Sequence, residues 1–102
     1  MQIPETEAEF QRRLTEQAEQ LGWDWMHVGR TGKYSPNGAK GTLGTGWPDL
    51  ILIRGGQVIF VELKDQNGVL STAQKAVLYK MKALDCRVWR PSDWPQILEA
   101  LQ

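Results

Sequence analysis

Residues 49–64 read Asp49-Leu-Ile-Leu-Ile-Arg-Gly-Gly-Gln-Val-Ile-Phe-Val-Glu-Leu-Lys64. Two apolar, strand-forming runs flank one Gly-Gly pair. Glycine reaches positive φ without a Cβ clash, so Gly55-Gly56 is a strong two-residue hairpin turn. With that turn Arg54 pairs with Gln57. The ladder then continues as Ile53 with Val58, Ile51 with Phe60 and Asp49 with Glu62. Directly opposed residues share a face, their Cβ atoms ~5 Å apart. The hairpin therefore brings two carboxylates side by side at its open end, with Lys64 two residues on and on the same face. A slip of one residue would part them. Both strands are apolar at successive positions, which predicts cover on both faces, as in the middle of an α/β sheet.

Opposed acids repel, so something positive must compensate. Lys64 supplies one charge. A divalent cation supplies two, and an all-oxygen donor set favours Mg²⁺ or Mn²⁺ over Zn²⁺. The plainer alternative is a pair of strand-end acids pointing into water. The shared register and the neighbouring lysine weigh against it.

Working outward, Phe10, Leu14, Ala18 and Leu21 recur at helical spacing, together with Ile3 and Glu7, so a helix is predicted over 5–21. Thr6-x-x-Glu9 has capping-box spacing and Gly22 stops the run. Residues 23–28 (WDWMHV) read as a strand. Residues 29–46 hold six glycines and the bases Arg30, Lys33 and Lys40, and read as a functional or mobile loop. Ser71-x-x-Gln74 is a second capping box, opening a helix to about Leu84. Cys86–Arg90 is a short strand, and Asp93 is expected to cap a final helix over 94–101. The order is α-β-β-β-α-β-α.

The 102 residues make one domain, expected to span the whole chain. Twelve basic residues balance twelve acidic ones, which argues against a purely electrostatic DNA binder. The charge is segregated, however. Residues 1–24 carry two basic against six acidic groups, and the remainder carries the opposite excess of four. One cysteine, Cys86, excludes a disulfide scaffold and a Cys-rich zinc site, and fits a reducing cytoplasm. The acidic start MQIPETEAEF has no apolar run, so no signal peptide is expected, and no stretch is long enough to span a membrane.

Pro48-Asp49, followed thirteen residues on by Glu62-Leu63-Lys64, resembles the PD-(D/E)xK nuclease signature. The longer run of Gly46-Trp-Pro-Asp-Leu50, Val61-Glu-Leu-Lys64, Gly68-Val-Leu-Ser71 and Gln74 resembles the VRR-NUC family of that superfamily, over nearly the whole chain. The resemblance implies a restriction-endonuclease-like α/β core (αβββαβ) with a mixed central sheet. It also implies a Mg²⁺-dependent DNA endonuclease in a prokaryotic or phage-infected cell, leaving 5′-phosphate and 3′-hydroxyl ends. Asp49 and Glu62 would bind the metal with the Leu63 carbonyl, and Lys64 would orient or activate the attacking water. Gln74 would touch the site or the DNA, its bland alternative being the capping box alone. Such families add an acid from the first helix. Glu7 lies on the inward stripe and is the choice here, with Gln11 one turn along, whereas Glu9 is occupied as the capping-box acid. Compact members resemble Holliday-junction resolvases, which implies branched DNA as partner and a homodimer. A nicking or non-specific duplex endonuclease is the rival within the enzyme class, and a catalytically silent DNA-binding or assembly module the rival outside it.

Other residues read as structural. His27, the sole histidine, is expected to be a strand histidine without a catalytic part. Trp47, opposite Lys64 by the ladder count, and Cys86 are expected in the core, as are most of the remaining tryptophans. Lys75, Lys80 and Lys82 read as a solvated helix face.

Overall fold

The computed structural model describes residues 3–28 and 46–102. Helix α1 (Glu7–Gln20) starts at a full capping box: the Thr6 hydroxyl accepts from the Glu9 amide and the Glu9 carboxylate accepts from the Thr6 amide. Strand β1 is Asp24–His27, β2 Leu50–Arg54 and β3 Gln57–Leu63. Gly55 and Gly56 both have positive φ (56° and 81°), as a type I′ hairpin turn requires. Helix α2 (Thr72–Lys80) leads to β4 (Cys86–Trp89), a 3₁₀ turn (Pro91–Asp93) and α3 (Trp94–Leu101).

The four strands form one mixed sheet in the order β1-β2-β3-β4. The first three run antiparallel, and β4 lies parallel to β3 after the α2 crossover. The hairpin register is the one the Gly-Gly turn predicts: Arg54 opposite Gln57, Ile53 opposite Val58, Ile51 opposite Phe60 and Leu50 opposite Val61. Leu50, Leu52, Ile59, Val61 and Leu63 line one face. They form the core with Phe10, Leu14 and Ala18 of α1, Ile97 and Leu101 of α3, Trp23 and Trp89. The result is a single-domain α/β fold with three helices and a four-stranded sheet.

Several expectations change. The opposite sheet face is covered over part of its area. Glu62 is sealed beneath Gln74 of α2, while Met26 and Ile53 are 57% and 45% exposed and Val58 is also exposed. Helix α1 begins at Glu7, which leaves Ile3 exposed and off the apolar stripe. Helix α2 ends at Lys80, the chain passing into turns before Cys86. Asp93 makes no side-chain cap to α3. Its carboxylate accepts from the Arg90 amide at 2.8 Å and so closes the 3₁₀ turn that precedes the helix. Among the described residues no helix is long and apolar enough to cross a membrane.

Candidate acidic site at the open end of the hairpin

Asp49 is the residue before β2, one step beyond the Leu50–Val61 pair, and that register sets it against Glu62. Its main-chain oxygen accepts from the Val28 amide at 2.7 Å, which ties it to the end of β1. Its Oδ2 accepts from the Leu63 amide at 2.9 Å. This last bond fixes the carboxylate across the strand end and connects Leu63 to the site through its amide. Asp49 is 5% exposed and Glu62 1%. Two carboxylates buried this deeply at neighbouring positions are costly unless paired or neutralised.

The cost falls on Glu62. Burial first, then a hydrogen bond with Asp49 and the Asp49 charge, push its carboxyl up to about 8; Lys64 pulls it down and Glu7 pushes it further up. Glu62 Oε2 accepts from Gln74 Nε2 at 3.0 Å. Its Oε1 is buried with no hydrogen-bond partner among the described residues. When both acids ionise they have no proton to share, and that oxygen has no donor. A buried polar atom in this state costs ~1–3 kcal/mol, more when charged.

Gln74 combines the two roles weighed from sequence. Its Oε1 accepts from the Ser71 amide at 2.8 Å, and its own amide donates to the Ser71 hydroxyl at 3.0 Å, completing the capping box. Its Nε2 remains for Glu62. Capping thus aims the free end of the amide at the acid.

A residue not singled out for this purpose holds that arrangement in place. Gly46 has φ 97°, and a Cβ there would stand 2.5 Å from the Ala73 carbonyl oxygen and 2.9 Å from the Gln74 amide nitrogen. The backbone before Asp49 lies directly against the first turn of α2, a contact only glycine allows. The available signal was a glycine placed just before Trp47-Pro48-Asp49. Gly68 plays a lesser part beside Lys64, where a Cβ would come 3.2 Å from Lys64 Cδ.

An open cleft of about 280 Å³ lies beside Asp49, lined by Glu7, Ala8, Gln11, His27 and Asp49. Glu7 therefore reaches the site as the inward stripe predicts, and Gln11 stands with it. His27 is a strand histidine, as read from the sequence; it is exposed and lines this cleft at the end of β1. Trp47 is half-buried and meets the Phe60 ring edge-on at 5.8 Å, outside the main core cluster. Cys86 is likewise half-buried. Arg30, Lys33 and Lys40 lie outside the described residues.

The site was tested as a cation site on its own donors. Among the described residues no three His, Cys, Asp or Glu side chains gather into a metal cage. Mg²⁺ does not require one, since it is held through one or two carboxylates and keeps several waters. Two adjacent buried carboxylates, one with an oxygen lacking any donor, fit such an ion better than they fit each other. In comparisons with known proteins the chain matches no family model, no curated protein and no solved structure.

Proposed function

We propose that this chain is a Mg²⁺-dependent DNA endonuclease of the VRR-NUC type, built on a restriction-endonuclease-like core. One observation carries the reading: Glu62 is buried against Asp49 with an oxygen that no donor among the described residues satisfies. A solvated strand end would not bury its acids, and a silent module gains nothing from sealing them together.

In this reading Asp49 and Glu62 hold the cation, with the Leu63 carbonyl as the further ligand that the resemblance implies. When bound, the cation supplies Lewis-acid stabilisation of the charge that builds on a phosphodiester during hydrolysis. Gln74 holds Glu62 in orientation, and Asp49 is oriented by the Leu63 amide. Lys64, whose charge already acts on Glu62, orients the attacking water. Water adds to phosphorus, the bond to the 3′ oxygen breaks, and 5′-phosphate and 3′-hydroxyl ends result. Glu7 adds negative charge from α1 beside the pair. Branched DNA and a homodimer with two sites follow from the likeness to junction resolvases. The bases Arg30, Lys33 and Lys40 are the candidates for contacts to the DNA backbone.

The test is one gel series: four-way junction, duplex and single strand incubated with Mg²⁺, using the wild-type protein and Lys64→Ala. Cleavage by the wild type that the variant loses is expected. Binding without any cut, in Mg²⁺ and in Mn²⁺, overturns the reading in favour of a DNA-binding module.

A further inference from the structure

The cleft beside Asp49 has two chemistries. Glu7 and Asp49 make one side acidic. Gln11 and His27 add hydrogen-bonding side chains to the same lining. Among the described residues neither has a hydrogen-bond or ion-pair partner. Two other glutamines, by contrast, are engaged at both ends: Gln66 with Ser92, and Gln74 with Ser71 and Glu62. His27 also interrupts a row. It pairs with Leu50, which belongs to the face whose β2 and β3 members are all apolar core. The next residue, Val28, donates to the Asp49 main chain at 2.7 Å, so His27 is held at a fixed offset from the acid pair.

The Gln11 amide and the His27 imidazole both carry N–H groups that can donate. Side-chain donors of this kind are common contacts to the phosphate oxygens of nucleic acids.

We propose that Gln11 and His27 form a phosphate subsite, donating hydrogen bonds to the non-bridging oxygens of a DNA phosphodiester placed beside Asp49. The inference rests on the nuclease reading for the identity of the polymer, and on the cleft for the position. His27 is thereby a substrate-contacting residue.

The sole histidine gives a single imidazole signal in nuclear magnetic resonance, which makes a direct test. Lys64→Ala protein is titrated with the dinucleotide thymidylyl-3′,5′-thymidine in the presence of Ca²⁺, and separately with thymidine, which lacks the phosphate. The imidazole signal is expected to move saturably with the dinucleotide and not with thymidine. In that background His27→Ala or Gln11→Ala should weaken dinucleotide binding by about three- to tenfold, the loss of one hydrogen bond. His27→Gln, which keeps a donor, should recover part of it. The affinity for Ca²⁺ alone, measured by calorimetry, should stay unchanged. An imidazole signal that stays still, that moves equally with thymidine, or a Ca²⁺ affinity that falls in parallel overturns the inference. Cleavage of DNA by the wild type without movement of the ring refutes the subsite and leaves the nuclease reading standing. Movement of the ring without any cleavage by the wild type does the reverse.

Discussion

At the turn end of the hairpin, Arg54 donates to the carbonyl oxygens of Leu21, Leu101 and Gln102 at 2.6–2.9 Å, and its guanidinium lies 4.5 Å from the Trp23 ring centre. At the open end, Glu62 is buried more deeply and keeps an oxygen with no partner. Both ends carry a charged side chain on the same two strands. The first uses its charge to satisfy orphan carbonyls at the ends of two helices, which is what folding requires. The second buries a carboxyl where its charged form is disfavoured, which folding alone does not favour. The contrast separates a group that serves stability from one that costs it, which on the proposed reading a bound cation offsets.

Asp49→Asn should separate the two ends most strongly. It removes one charge of the acid pair while keeping an acceptor for the Leu63 amide. Cleavage of the preferred DNA with Mg²⁺ should fall by a factor on the order of a thousand, about 4 kcal/mol of transition-state stabilisation. Thermal unfolding without metal should be unchanged or slightly higher. A variant that loses its fold along with its activity would erase the distinction.

Arg54→Met is the opposite experiment. It keeps most of the stem packing and removes the guanidinium donors from the carbonyls of Leu21, Leu101 and Gln102, of which Leu101 keeps the Trp23 indole N–H at 2.9 Å. Stability should fall by roughly 2–4 kcal/mol in urea unfolding. Protein that remains folded at low temperature should cut DNA at nearly the wild-type rate. A large rate loss in folded Arg54→Met would mean that the turn end takes part in the site.

How legible each end was in the sequence follows from the range of the interactions. The Gly-Gly turn fixes the register locally, so the pairs from Arg54–Gln57 outward, and the placing of Asp49 against Glu62, could be read from alternation alone. Capping boxes are equally local, and both were legible. The Arg54 clamp was not, because its acceptors lie 33 and 47 residues away on helices whose packing no short pattern encodes. The place of His27 on the cleft was illegible for a related reason: strand periodicity gives its face, but not which residues of α1 stand beside it. The partial cover of the second sheet face was also illegible, since an apolar strand does not state how far a helix extends over it.

The titration of Glu62 sharpens the comparison from a third side. Its carboxyl sits at about 8 in the folded protein, against an ordinary value of 4.5, chiefly because of burial and then Asp49. Between those values the folded chain binds the proton and the unfolded chain does not. The Glu62 contribution to stability without metal is therefore fully present below about pH 4.5 and declines as the pH rises to about 8. The decline should amount to about 4–5 kcal/mol in urea unfolding and should be largely removed in Glu62→Gln. Mg²⁺, which needs the ionised pair, should stabilise the wild type more at pH 8 than at pH 6. Stability that rises over this interval would contradict the burial of the pair.

Gly46→Ala should have a modest effect on the fold and an informative one on the site. The added methyl meets the Ala73 carbonyl oxygen and the Gln74 amide, backbone atoms that cannot rotate away. A positive φ of 97° adds its own strain, so a loss of about 1–2 kcal/mol is expected in unfolding experiments. Relief of the clash comes from moving the first turn of α2 outward, and Gln74 then leaves Glu62. Hydrogen exchange of the Gln74 side-chain amide should speed up, and cleavage should fall by about tenfold, as for the loss of one hydrogen bond to a charged group. Gly56→Ala is the fitting control. It too has positive φ, but a Cβ there meets nothing within 4 Å, so it carries the strain without the push on α2. If both variants lose the same stability and only Gly46→Ala frees the Gln74 amide, the backbone contact positions the site. If the amide stays protected in both, Gly46 serves the turn alone.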